Sequence, residues 1–259
     1  MTDHLAEIWQ TLSDEEMELY SRQIFLDDWD IDAQEKIKLS NILIVGVGGI
    51  GCITAELLAR AGVGKITLID QDQVDVSNLQ RQVGFGRQDV GFFKADVMAT
   101  KLKEINPHID IISVTHALDE SNVDSLFQGQ DLILDGCDNF KTRYLVNSHA
   151  YQFNIPLLSA SAIGYEGQLL MVQPQSACYE CLFPYAQQED DAKRCSETGV
   201  LATVPNVMGA LQAHHALLYL GLGKAPLVQK ILLWNGLTMS QRIVKFEKDE
   251  DCSICRLKI

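Results

Sequence analysis

Basic residues are scarce in this chain. Only 21 Lys and Arg stand against 35 Asp and Glu, a formal net charge of −14. No basic run stands out, which argues against a nucleic-acid partner, since duplex binding needs a cationic face. An anionic ligand must be held by a few local Arg and Lys against an unfavourable overall field. Long apolar runs are missing too. The most apolar stretch, residues 203–222, is interrupted by Gln212, His214 and His215. It lacks the ~18 clean apolar residues of a membrane span. The opening MTDHLAEIWQ has no basic segment before an apolar core, so no secretory signal is expected and the chain is read as cytoplasmic. There are no internal repeats, no low-complexity tracts, no G-x-x-x-x-G-K-[ST] loop and no compelling Ser/His/Asp arrangement. Seven cysteines in a cytoplasmic chain point to metal or catalysis rather than disulfides.

What is present suits one α/β domain with extensions. The 259 residues are 47% hydrophobic, enough for a full core. Ser13 with Glu16 forms a capping-box pattern, so a helix is expected from Asp14. Asp32 with Glu35 marks a weaker start for a second one. A strand and helix rhythm then begins. Strands are expected at 41–45, 65–70, 109–115, 131–135 and 156–161, with helices between them, the last of these helices running from Phe140 towards Asn154. Continuous apolar strands alternating with helices mean a parallel sheet covered on both faces, hence a doubly wound, mostly parallel Rossmann-like fold. After Ala162 the pattern changes. GYEG reads as a tight turn into QLLMVQP, and KILLWN and QRIVKFE add strands to an antiparallel C-terminal extension. The division expected is a helical arm over 1–40, a nucleotide-binding half over 41–162 and a second half over 163–259. The polar, aperiodic segment 184–199 is expected to be a functional or mobile loop.

Gly46, Gly48 and Gly51 fit G-x-G-x-x-G between a strand and a helix. The first glycine allows the tight turn, the second lets backbone N–H groups approach a phosphate, and the third permits close helix packing. Asp70 ends the next strand nineteen residues after Gly51, where a carboxylate can bind ribose hydroxyls. The motif points to an adenosine phosphate without naming the reaction. Asn78, Gln80 and Arg81 follow that acid closely, which a nicotinamide enzyme does not require. Arg81, Lys94 and Arg22 are candidates for neutralising a triphosphate; the plain alternative for each is a solvated surface charge. Asp138 follows the fourth strand, at the carboxyl edge where ligands of such folds bind. It is either a Mg²⁺ ligand or the N-cap of the next helix.

GVGGIG, then SNLQRQ, a lone lysine, GCDN and two C-x-x-C pairs together resemble the MoeB/ThiF/HesA family, bacterial relatives of ubiquitin-activating enzymes. The likeness runs from YSRQI at Tyr20 to the terminal CSIC. It implies an enzyme that adenylates the C-terminal Gly-Gly of a ubiquitin-like sulfur carrier, MoaD-like or ThiS-like, in molybdopterin or thiamine synthesis. Such enzymes use Mg-ATP and release pyrophosphate. By the same resemblance Gly49 joins the phosphate loop, Asp70 takes the ribose, and Ser77, Asn78, Leu79, Gln80, Arg81 and Lys94 line the nucleotide. Asp138 and Asn139 sit at the metal and phosphates. Arg22 matches an arginine lent to the partner subunit's site, which implies a homodimer with composite sites.

The acceptor carboxylate, with an ordinary pKa of roughly 3.3–3.7, is already ionised near neutral pH and needs no general base. Catalysis then means charge neutralisation and in-line positioning by Mg²⁺, Arg81, Lys94 and Arg22. Cys178, Cys181, Cys252 and Cys255 make two pairs far apart in sequence; four thiolates would close a structural Zn²⁺ site. Cys52, Cys137, Trp9, Trp29 and Trp234 are read as packing residues, and His214 and His215 as core or interface. Cys195 lies beside Lys193 and Arg194, which favour a reactive thiolate. Its alternatives are a covalent or sulfur-transfer role, as in ThiF-like relatives, and a plain exposed thiol. No rhodanese-like segment follows Cys255, so a separate sulfur donor is expected. Two other readings remain: a NAD-dependent oxidoreductase, and a zinc-stapled, non-catalytic scaffold for a ubiquitin-like protein.

Overall fold

The computed structural model describes residues 12–184 and 199–256. Trp9, Cys195 and nearly all of the 184–199 loop lie outside the described residues. The chain enters through three short helices, α1 (Asp14–Leu19), α2 (Ser21–Ile24) and α3 (Asp30–Leu39). The capping box forms as expected. Ser13 Oγ accepts from the Glu16 N–H at 3.2 Å, and Glu16 Oε2 accepts from the Ser13 N–H at 2.8 Å. That same Glu16 is buried and takes the Lys38 ammonium at 2.6 Å, tying α1 to α3. Helix α3 begins two residues earlier than Asp32, with Trp29 at its N-cap position, and within its first turn Asp30 Oδ1 accepts from the Ala33 N–H at 3.2 Å.

One eight-stranded sheet follows, in the order β3-β2-β1-β4-β5-β6-β7-β8. Strands β1 (Asn41–Val45), β2 (Lys65–Ile69), β3 (Asp110–Val114), β4 (Leu132–Asp135) and β5 (Leu157–Ile163) are parallel. Strands β6 (Glu166–Val172), β7 (Lys230–Asn235) and β8 (Ser240–Lys245) continue antiparallel. The β5–β6 register pairs Ile163 with Glu166, leaving Gly164 and Tyr165 as the turn. Gly164 carries the positive φ, +58°, that such a hairpin needs.

Side-chain alternation divides the core between two faces. Ile42, Ile44, Ile66 and Leu68 pack against α4 (Gly49–Ala61), α5 (Lys94–Ile105) and a long helix over Thr203–Leu222. Leu43, Val45 and Ile133 pack on the opposite face against α6 (Val123–Phe127) and α7 (Phe140–Gln152). A single-turn helix α8 (Tyr179–Leu182) precedes the long one, which is therefore α9. Gln212, which breaks the apolar run of α9, is fully buried. Its Nε2 donates to the carbonyls of Asp135 and Leu158, each at 2.9 Å, while its Oε1 accepts from Thr54 at 2.8 Å. One polar side chain thus bolts α9 to two strands and to α4. His214 is exposed and His215 half-buried, so neither is a core residue.

Strand order reverses between β1 and β4, and the loop after β1 crosses there. Gly46 has φ +87°, a conformation only glycine adopts easily. A Cβ on Gly51 would lie 1.9 Å from the Gly46 carbonyl oxygen. Gly51→Ala must therefore push α4 off the sheet. We expect a loss of about 1–3 kcal/mol, a fall in melting temperature of roughly 3–10 °C. Gly199→Ala, with open space around it, should leave the thermal melt unchanged.

Candidate functional site

A cleft of about 1010 Å³ opens at the carboxyl ends of the parallel strands, at the point where their order reverses. Ligands of doubly wound sheets bind in this position. Its floor is the glycine loop. Gly48 is extended, and α4 begins at Gly49 with its unpaired amides at the cleft. Such an end favours an anion. Pro205, near the start of α9, stands 2.9 Å from the place a Cβ on Gly49 would occupy, so the loop is clamped from above.

Asp70 lines the cleft and also secures the loop. Its Oδ2 accepts from the Val47 N–H at 2.7 Å and its Oδ1 from the Asp72 N–H at 2.8 Å. Burial pushes its carboxyl above the ordinary range, against those two amides and Lys94. Each oxygen keeps the capacity to accept from a further donor. Lys94 is 5% exposed, and its ammonium meets Asp72 Oδ2 at 2.8 Å. Arg81 is half-buried, and its Nη1 donates to the Ser77 carbonyl at 3.2 Å. Arg81 and Lys94 both line the cleft, as do Gly46, Gly48, Gly49, Asp138 and Asn139.

Other expected residues stand elsewhere. Ser77, Asn78, Leu79 and Gln80 are not among the lining residues. Ser77 N–H and Asn78 Oδ1 form a reciprocal cap with Asp75, which shapes the short helical turn that delivers Arg81. Arg22 is exposed on α2, outside the cleft lining. Gly51 faces the Gly46 carbonyl and acts through packing. Asp138 is not the N-cap of α7. That role falls to Asn139, whose Oδ1 accepts from the Thr142 N–H at 2.9 Å. The Asp138 carboxylate is left exposed at the cleft, a hard oxygen donor suited to Mg²⁺.

Sequence reasoning missed the buried pair behind this loop. Asp135 is fully buried; its Oδ2 accepts from Arg143 Nε at 2.8 Å and from Ser159 Oγ at 2.6 Å, and its Oδ1 from the Cys137 N–H at 3.0 Å. Arg143 Nη2 donates to the carbonyls of Cys137 at 2.6 Å and Ala160 at 3.2 Å. The pair sets the backbone from which Asp138 projects. An Asp at the end of an otherwise apolar strand was the available signal. Cys52 and Cys137 are buried, and burial pushes the Cys52 thiol up to about 12, as expected of packing residues.

The four zinc candidates come together. The Sγ atoms of Cys178, Cys181, Cys252 and Cys255 all lie within 4.8 Å of one another. Cys178 and Cys252 are 3.6 Å apart, Cys178 and Cys181 3.9 Å, and Cys181 and Cys255 3.2 Å. Ligands ~2.3 Å from one tetrahedral ion stand about 3.8 Å from each other. The donor set therefore fits Zn²⁺, and with four thiolates the site is closed to substrate.

A model of the ThiF family matches residues 20–254. The chain belongs to the ThiF family. It is 40% identical to the molybdopterin-synthase adenylyltransferase of Escherichia coli K12, over 94% of this chain and 98% of that one. It is 36% identical to the sulfur carrier protein ThiS adenylyltransferase of the same organism, over 94% of this chain and 97% of that one. A crystal structure of E. coli MccB with ATP superposes with a TM-score of 0.77 at 27% identity, covering 87% of this chain and 68% of that chain. The family match takes in the cleft residues and three of the four clustered cysteines, Cys178, Cys181 and Cys252.

The cluster joins the segment after β6 to the segment after β8. Purified protein should carry about one zinc per chain by elemental analysis. Cys252→Ser should lose that zinc and lower the melting temperature by at least about 5 °C, roughly 2 kcal/mol for a chain of this size.

Proposed function

We propose that this ThiF-family chain is an ATP-dependent adenylyltransferase. Its substrate is the C-terminal Gly-Gly carboxylate of a ubiquitin-like sulfur carrier, MoaD-like or ThiS-like, in molybdopterin or thiamine synthesis. The observation that carries this reading is one cleft combining a glycine loop, Asp70, Arg81, Lys94 and an uncapped Asp138. The 40% and 36% identities to two carrier adenylyltransferases support it.

The chemistry follows from charge. A carboxylate oxygen of the carrier attacks the α-phosphorus of ATP. A new P–O bond forms, the bond from the α-phosphorus to the bridging oxygen breaks, and its electron pair leaves with pyrophosphate. No proton has to move, because the nucleophile is already ionised. The work of the protein is to hold two anions together in line. Loop amides and the α4 N-terminus take phosphate oxygens, while Arg81 and Lys94 offset their charge. Lys94 exchanges part of its bond to Asp72 for the phosphate. Mg²⁺, held by Asp138, would neutralise the phosphates further. Glycines at the carrier's end bring no side chain to clash in a narrow approach.

The reading extends to a homodimer, in which Arg22, exposed on α2, reaches the partner subunit's cleft. A separate sulfur donor would act on the adenylate. Cys195 would serve that later step and not adenylation.

Pyrophosphate exchange, measured with a MoaD-like and a ThiS-like carrier in separate reactions, tests the proposal. Exchange should depend on one carrier. Arg81→Ala should slow it by about 10²–10³, and Cys195→Ala should leave it intact. Exchange with neither carrier, alongside tight binding of NAD, would favour an oxidoreductase instead.

A further inference from the structure

Gln82 ends the SNLQRQ run, one residue beyond Arg81. It is 4% exposed, yet it lines the cleft. Its backbone is fixed: its N–H donates to the Asn78 carbonyl at 2.9 Å, and its own carbonyl accepts from Phe85 at 3.1 Å. The turn it belongs to is clamped as well, since Asn206 Nδ2 of α9 donates to the Arg81 carbonyl at 3.1 Å. Its side-chain amide is less settled. Oε1 is buried and has no hydrogen-bond partner among the described residues. Nε2 is turned to the phosphate loop. A Cβ built on Gly48 would lie 3.7 Å from it, with no other atom beyond the immediate chain neighbours within 4 Å.

An orphaned acceptor costs stability, and buried polar groups are otherwise almost always paired. Turning the amide over would present an oxygen to the loop and bury the NH₂ group in its place. The observed orientation offers only a donor to whatever sits above Gly48. We propose that Gln82 is a nucleotide-binding residue whose Nε2 donates to a phosphate oxygen of ATP seated over Gly48 and Gly49. The inference rests on the ATP reading above and adds to it a neutral donor in the same cleft as Arg81 and Lys94. An amide orients a phosphate oxygen without adding charge. A carboxylate of the same shape would repel the phosphate.

Calorimetric titration of Mg-ATP, without carrier, into wild type, Gln82→Met and Gln82→Glu tests this, with a thermal melt of each. The methionine variant keeps the volume and removes the orphaned oxygen. Its melting temperature should hold or rise while ATP affinity falls by roughly ten- to a hundredfold, the worth of one hydrogen bond to a charged group. The glutamate variant should bind more weakly still. Unchanged affinity in the methionine variant overturns the assignment. So does a loss of affinity matched by a fall in melting temperature, or unchanged ATP affinity with a raised carrier KM in exchange. A wild type that binds no ATP overturns the nucleotide reading and this inference with it.

Discussion

The backbone of the loop after β1 runs so close to the first turn of α4 that no side chain fits between them. Gly51 has to abut the Gly46 carbonyl, and Gly46 has to take a left-handed turn against the backbone of Gly136 and Cys137. Everything in the cleft is referred to that contact. It brings the unpaired amides of α4 to the switch point of the sheet, between the ends of β1 and β4. Asp70 then holds the loop from the β2 side through the Val47 amide. From the β4 side, Asp135, Arg143 and Ser159 fix the strand that ends in Asp138. A buried ion pair of this kind adds little net stability, because both charges lose water. Its use here is geometric, since it spans β4, β5 and the Cys137 carbonyl at once.

Electrostatics in the cleft is local rather than global. The chain carries a net charge of −14, and an anion entering it meets repulsion everywhere except at a few points. Even there two of the cations are accompanied: Lys94 by Asp72 and Arg143 by Asp135. Of these two, Lys94 has the counter-ion that is more than half exposed, whereas that of Arg143 is fully buried. This separates the two basic residues by role. Arg143 is committed to the scaffold, whereas Lys94 is paired with a carboxylate that faces solvent. The first turn of α4 carries no acidic residue and no side-chain cap, so its amides are open to an anion.

Much of the fold was legible because its signals are local. Apolar runs such as NILIV and DLILD, bounded by glycine and helical patterns, locate the strands to within a residue or two, and the capping box locates α1. The hairpin at Gly164 was visible from its turn residues. The cysteine pairs were visible as spacing, and the fold alone could unite them. What sequence could not supply is direction. Nothing in SNLQRQ says that Ser77 and Asn78 shape a turn while Arg81 and Gln82 face the cleft. Asn139 and Asp138 are equally good N-caps on paper, and only the backbone path decides between them. Arg143 drew no reading in the sequence, and its partner Asp135 only a place at the end of a strand.

Central to the proposed function is a cleft that draws in a triphosphate and aims it at an incoming carboxylate. A crystal structure with Mg²⁺ and a non-hydrolysable ATP analogue tests this most directly. We expect phosphates lying over Gly48 and Gly49, Arg81 and Lys94 turned towards them, and the metal on Asp138. A triphosphate bound with both basic side chains pointing away, or a metal that leaves Asp138 untouched, would contradict it.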